Sequence, residues 1–107
     1  MNDLPSKYFF RQRMKNRIYD AVIAAVEDAA RTNGMRKKDI AEKLGVNPSQ
    51  VTRWLSGPAN WEVDTISDLL FAVGAELDFD AVMFADRAAG AHRNPPPRQI
   101  LDAPPAE

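Results

Sequence analysis

The residues most able to do chemistry lie in one short run, Asn47-Pro48-Ser49-Gln50-Val51-Thr52-Arg53-Trp54-Leu55-Ser56. On a helix turning about 100° per residue, Ser49, Arg53 and Ser56 share one arc, with Gln50 and Thr52 on its flanks. Val51, Trp54 and Leu55 fall on the opposite arc. Such a helix is too polar on one side to be wholly buried. Its polar side carries groups that match base edges: Arg with guanine O6 and N7, Gln with adenine N6 and N7, Ser with either. Other chemistries have less to work with. The chain has no cysteine, which excludes disulfides, thiolate metal sites and thiol nucleophiles. One histidine, His92, does not supply a histidine-rich metal site or a Ser-His-Asp triad. Asp78 and Asp80 could suggest paired carboxylates, but alternation with apolar neighbours reads more simply as a solvated strand face. We therefore expect no metal, no cofactor and no catalysis.

Helices must position that run. Asn47 suits an N-cap, Pro48 a first helical position, and Gln50 the place where a capping box takes Glu or Gln. Val46 and Val51 fit a hydrophobic staple, and Gly57-Pro58 predicts the helix end. Upstream, Ile18, Val22, Val26 and Ala29 form a helical stripe, predicting a long helix from Ser6 or Lys7 to Thr32 that stops at Asn33-Gly34. A second helix is predicted over Lys37 to Leu44, stopping at Gly45. A fourth is predicted from Val63 to Val73, with Val63, Ile66, Leu69, Leu70 and Val73 inward and Gly74 as its stop.

Beyond Gly74 the period changes to two. Ala75, Leu77, Phe79, Ala81 and Met83 alternate with Glu76, Asp78 and Asp80, which predicts a half-buried strand over residues 75–84. A lone strand in a helical chain needs a partner for its backbone groups. Pairing with a second copy through Leu77, Phe79 and Met83 would supply one. The expected organisation is a domain over residues 1–85 and a proline-rich tail over 86–107, extended or disordered. The fold class is mainly all-α, with a long N-terminal helix and this short C-terminal strand.

Charge sharpens the reading. The chain of 107 residues carries a formal charge of only −1, which alone argues against a polyanionic partner. The average conceals a split: residues 1–60 hold 11 Lys+Arg and 6 Asp+Glu, whereas residues 61–107 hold 3 and 9. Such asymmetry between halves points to a nucleic-acid or membrane surface on one side. No apolar stretch reaches the roughly 20 residues of a membrane span, and the start lacks the pattern of an export signal. A cytoplasmic location is the default expectation.

Lys37 to Ser56 reads as two short helices crossing at a turn through Gly45, a helix-turn-helix. Ala41 is the small contact that lets the helices approach. Gly45 can take the positive φ that redirects the chain. Ile40, Leu44, Val46, Val51 and Trp54 fill the wedge. The stretch GMRKKDIAEKLGVNPSQVTRWLSGPANWEVDTISDLLFAVGAEL, residues 34–77, resembles the phage-repressor (Cro/cI, Xre-type) helix-turn-helix family. The likeness rests on the Ala41–Gly45–Val51 skeleton, on Ser56-Gly57 and on the next helix ending at Gly74.

The resemblance implies double-stranded DNA as partner, base contacts from Ser49, Gln50 and Arg53, and phosphate contacts from Lys37, Lys38, Asn47 and Asn60. It also implies a homodimer on a palindromic operator, acting as a transcriptional regulator, and more often a repressor. Two departures matter. Arg36 and Lys37 stand where the family commonly has a capping Ser or Thr and then Gln, and Pro48 replaces a side chain that reads a base in some relatives. The alternative expectation is an antitoxin-type protein that neutralises a toxin partner and also binds DNA. The cluster Arg11, Arg13, Lys15 and Arg17 has two readings: a second DNA-facing surface, or the solvated side of a helix packed by its other face.

Overall fold

The computed structural model describes residues 6–88. They form five helices, α1 (Lys7–Asn33), α2 (Lys37–Leu44), α3 (Pro48–Trp54), α4 (Val63–Val73) and α5 (Phe84–Ala88). The proline-rich stretch and His92 lie outside the described residues. The chain divides after Leu77 into two units. Among the described residues, no helix is long and apolar enough to cross a membrane.

In the first unit, local chemistry sets the helix boundaries. Ser6 caps α1, its hydroxyl accepting from the Phe9 amide at 3.3 Å, and the predicted stop at Asn33-Gly34 is where the helix ends. Gly45 closes α2 with φ +70°, a conformation that penalises any side chain by crowding Cβ against the backbone. The amide after it, on Val46, then bonds back to the Ala41 carbonyl at 3.0 Å, and α1 and α4 end in the same way. This pattern satisfies carbonyls that a helix end leaves open and turns the next apolar residue inward.

α2 starts without the capping Ser or Thr that the resemblance would place at Arg36. Arg36 makes no side-chain cap bond, but its backbone N–H donates to the Asp39 carboxylate at 2.8 Å. Half of a capping box is therefore present, supplied by the third residue of the helix.

The core joins all four helices of this unit. Val22 of α1, Ile40 and Ala41 of α2, Val51 of α3, Leu55 just beyond it, and Leu69, Leu70 and Ala72 of α4 are buried together. Leu44, Val46, Trp54 and Ile66 pack against them while partly exposed. α1 packs on α4, and α2 packs on both α3 and α4. Ala41 is 1% exposed, so a methyl group is what fits at its place between the helices.

Three sequence expectations need correction. α3 ends at Trp54 rather than running to Gly57; Leu55 has φ −89° and ψ 6°, and the Ser56 hydroxyl donates to the Arg53 carbonyl at 2.8 Å, which turns the chain early. Val63 is 77% exposed: it opens α4 rather than lining its buried side, and Ala72 is buried instead.

The third correction concerns the strand. Residues 75–83 contain neither strand nor helix, and no strand occurs among the described residues. The Ala75 amide is consumed by the end of α4, bonding to the Leu70 carbonyl at 2.9 Å. Leu77 packs against the core of its own chain rather than serving a strand interface. The alternation was real, but a ladder needs a second strand to accept it.

In the second unit, residues 78–83 lead into α5. Phe79, Met83 and Phe84 are largely exposed there, among the carboxylates of Asp78, Asp80 and Asp86.

Candidate nucleic-acid interface

α3 is a short helix with a firmly anchored back. Val51 is 0% exposed and Leu55 6%, while Trp54 is half-buried against the core. A further tie comes from α1, where the Tyr19 hydroxyl donates to the Leu55 carbonyl at 2.8 Å. The Tyr19 ring also meets Trp61 at 5.8 Å between centroids. These contacts hold both ends of the turn that follows α3. Sequence reasoning missed Tyr19, because a tyrosine in a long amphipathic helix carries no mark of a partner 36 positions away.

The front of α3 is open. Ser49, Thr52, Arg53 and Ser56 are exposed and Gln50 partly so, matching the arc expected from the sequence. Asn47 caps the helix, its Oδ1 accepting from the Ser49 amide at 3.0 Å and the Ser49 hydroxyl at 2.9 Å. The Ser49 oxygen keeps its lone pairs for a donor outside the protein.

Gln50 does not complete the capping box. Its Oε1 accepts from Arg53 Nη2 at 2.6 Å, one helical turn away. That bond aligns the guanidinium with the helix face and leaves its other donors outward, so Gln50 and Arg53 present a joined donor-rich surface.

The candidate phosphate contacts surround this face. Lys37 and Lys38 occupy the first turn of α2 and are exposed. Neither pairs with a carboxylate among the described residues. Two cations at the positive end of a helix dipole are locally unfavourable, and an anion there removes the conflict. Asn47 is exposed, but its carbonyl oxygen is spent on the cap, which leaves its NH₂ group to donate. Asn60 is exposed in the loop between α3 and α4. That loop meets α1 in a groove of about 590 Å³, lined by Asn60, Arg11 and Lys15 together with Met14, Trp61 and Val63.

Residues 13–59, from within α1 to the loop after α3, match the family model of the Homeodomain-like domain. This supports a helix-turn-helix domain of DNA-binding type, in agreement with the geometry. The match is to that broad class and not to the phage-repressor branch. No curated protein and no solved structure matches the chain significantly.

Proposed function

We propose that this protein is a sequence-specific transcriptional regulator, of the phage-repressor-like kind, that inserts α3 into the major groove of operator DNA. The observation that carries the reading is the two-sided character of α3: an anchored apolar back, and a front on which Ser49, Gln50 and Arg53 stand free of other elements. Arg53 reads a guanine, held in line by Gln50, and Ser49 supplies a contact at the helix start. Lys37, Lys38, Asn47 and Asn60 grip the flanking phosphates, which contribute much of the affinity and fix the register. We propose a homodimer on a palindromic site, whose half-sites about 34 Å apart would meet two copies of α3 on one side of the duplex. Repression by occupancy of a promoter, in the cytoplasm at the nucleoid, is the mode this simple architecture suits best.

Selection of bound sites from a random duplex pool tests the proposal. The expected result is an enriched motif with two-fold symmetry, lost in Arg53→Ala. Uniform recovery of all sequences, or no recovery at low salt, contradicts it.

A second reading is supported by the second unit. Phe79, Met83 and Phe84 are more than two-thirds exposed beside three carboxylates, a composition suited to wrapping a basic protein partner. This is the antitoxin-type alternative, and it is compatible with DNA binding by α3. Co-expression with the product of an adjacent small gene, followed by co-purification that Phe79→Ser/Phe84→Ser abolishes, is the result it expects.

A further inference from the structure

The N-terminal part of α1 extends beyond the residues that the core requires. The α1 residues in or packed against the core run from Ile18 to Ala29, yet the helix begins at Lys7. The preceding eleven positions, 7–17, hold Lys7, Arg11, Arg13, Lys15 and Arg17 and no acidic residue. None of these five pairs with a carboxylate among the described residues. Their spacing aggravates the repulsion, because 7 and 11, 11 and 15, and 13 and 17 are all like-charged i,i+4 neighbours, which destabilise a helix. A solvated face ordinarily mixes signs to avoid this cost; here no carboxylate among the described residues offsets it, and Lys7 and Arg11 instead lie 5.4 and 5.0 Å from the centroid of the exposed Tyr8 ring.

The position of the extension bears on its two readings. Arg11 and Lys15 line the same groove as Ala59 and Asn60, the loop that follows α3. The charge is therefore displayed beside the exit of the candidate recognition helix. The groove's apolar floor, with Met14 and Val63 exposed, suits a sugar edge carrying its phosphate.

We infer that the N-terminal extension of α1 is a second DNA-contacting element, in which Arg11 and Lys15 hold the sugar–phosphate backbone next to Asn60, outside the bases read by α3. The inference rests on the DNA-binding reading of α3 and extends its footprint. These contacts carry no sequence information; they lengthen the interface and steepen its salt dependence.

The test is the slope of log affinity against log salt, measured on the full chain with a selected site and with unrelated duplex. Arg11→Gln/Lys15→Gln keeps helix-forming side chains and removes two charges. The expected result is a slope smaller by about 1.8 per bound monomer, with affinity lowered by the same factor per monomer on both duplexes. Circular dichroism confirms that the variant is folded, and Arg11→Lys/Lys15→Gln, which keeps one of the two charges, should restore about half of the lost slope. A folded variant with unchanged slope overturns the inference while leaving α3 intact as reader. A variant whose sedimentation shows lost self-association, with an unchanged slope per monomer, assigns the extension to a second copy and overturns it too. If the wild-type chain retards no duplex at low salt, the inference falls together with the reading of α3.

Discussion

At the scale of single residues, Arg53 and Tyr19 separate function from architecture. The Arg53 side chain is exposed and bonds only to Gln50 among the described residues, so Arg53→Ala should leave stability nearly unchanged. If it reads a guanine, the variant should lose about 1–3 kcal/mol of specific binding while unrelated duplex binds nearly as before. Competition gel shifts with selected and scrambled sites check this. Tyr19→Phe should do the reverse. It removes the hydroxyl donor of a part-buried bond and costs about 0.5–1.5 kcal/mol, read by urea unfolding at constant m. Neither expectation depends on the other. The exposed polar arc of α3 was legible in the sequence because it needs only one helix and its period; the Tyr19 bond was not, since it joins α1 to the end of α3.

At the scale of elements, boundaries were legible wherever the chemistry is local. Asn33-Gly34, Gly45 and Gly74 mark helix ends, because satisfying open carbonyls with a left-handed residue is decided within a few positions. Asn47 and Pro48 mark the start of α3 for the same reason. Asn47→Ala should cost about 1 kcal/mol, fray the turn that carries Ser49, and weaken DNA binding with it. Unfolding and binding measured on the same sample check that the two losses travel together. Gly45→Ala should also cost roughly 1–2 kcal/mol, all of it from the backbone, as open space surrounds the added methyl.

The strand over 75–84 failed as an expectation because alternation defines a face and not a partner. Once the end of α4 took the Ala75 amide and the core took Leu77, nothing was left to build a ladder on. The inward assignment of Val63 failed for a related reason. The opening residue of a helix has the right angular position before any neighbouring element reaches far enough to cover it.

At the scale of the whole molecule, the buried core and the residues packed on it lie between Ile18 and Leu77. A chain ending after Leu77 should therefore melt within a few degrees of the full-length protein, as followed by circular dichroism at 222 nm. A large loss would show that residues 78–107 stabilise the first unit. The charge balance gains meaning at this scale too. A net charge of −1 spoke against DNA, yet the cations gather on α1, α2 and α3 while α4 carries carboxylates and no cation. Near-neutrality overall is compatible with a polarised surface, and affinity for DNA should fall steeply with salt despite it.

Everything proposed for this protein turns on whether the exposed face of α3 reads bases. The most direct measurement is the ratio of affinities for a selected operator and a scrambled duplex of equal length, compared between the wild-type chain and Arg53→Ala at one salt concentration. The expected ratio is at least about 10³ for a specific regulator, falling about 5- to 150-fold in the variant, as a loss of about 1–3 kcal/mol requires. A wild-type ratio near one, or a ratio unmoved by the substitution, would contradict it.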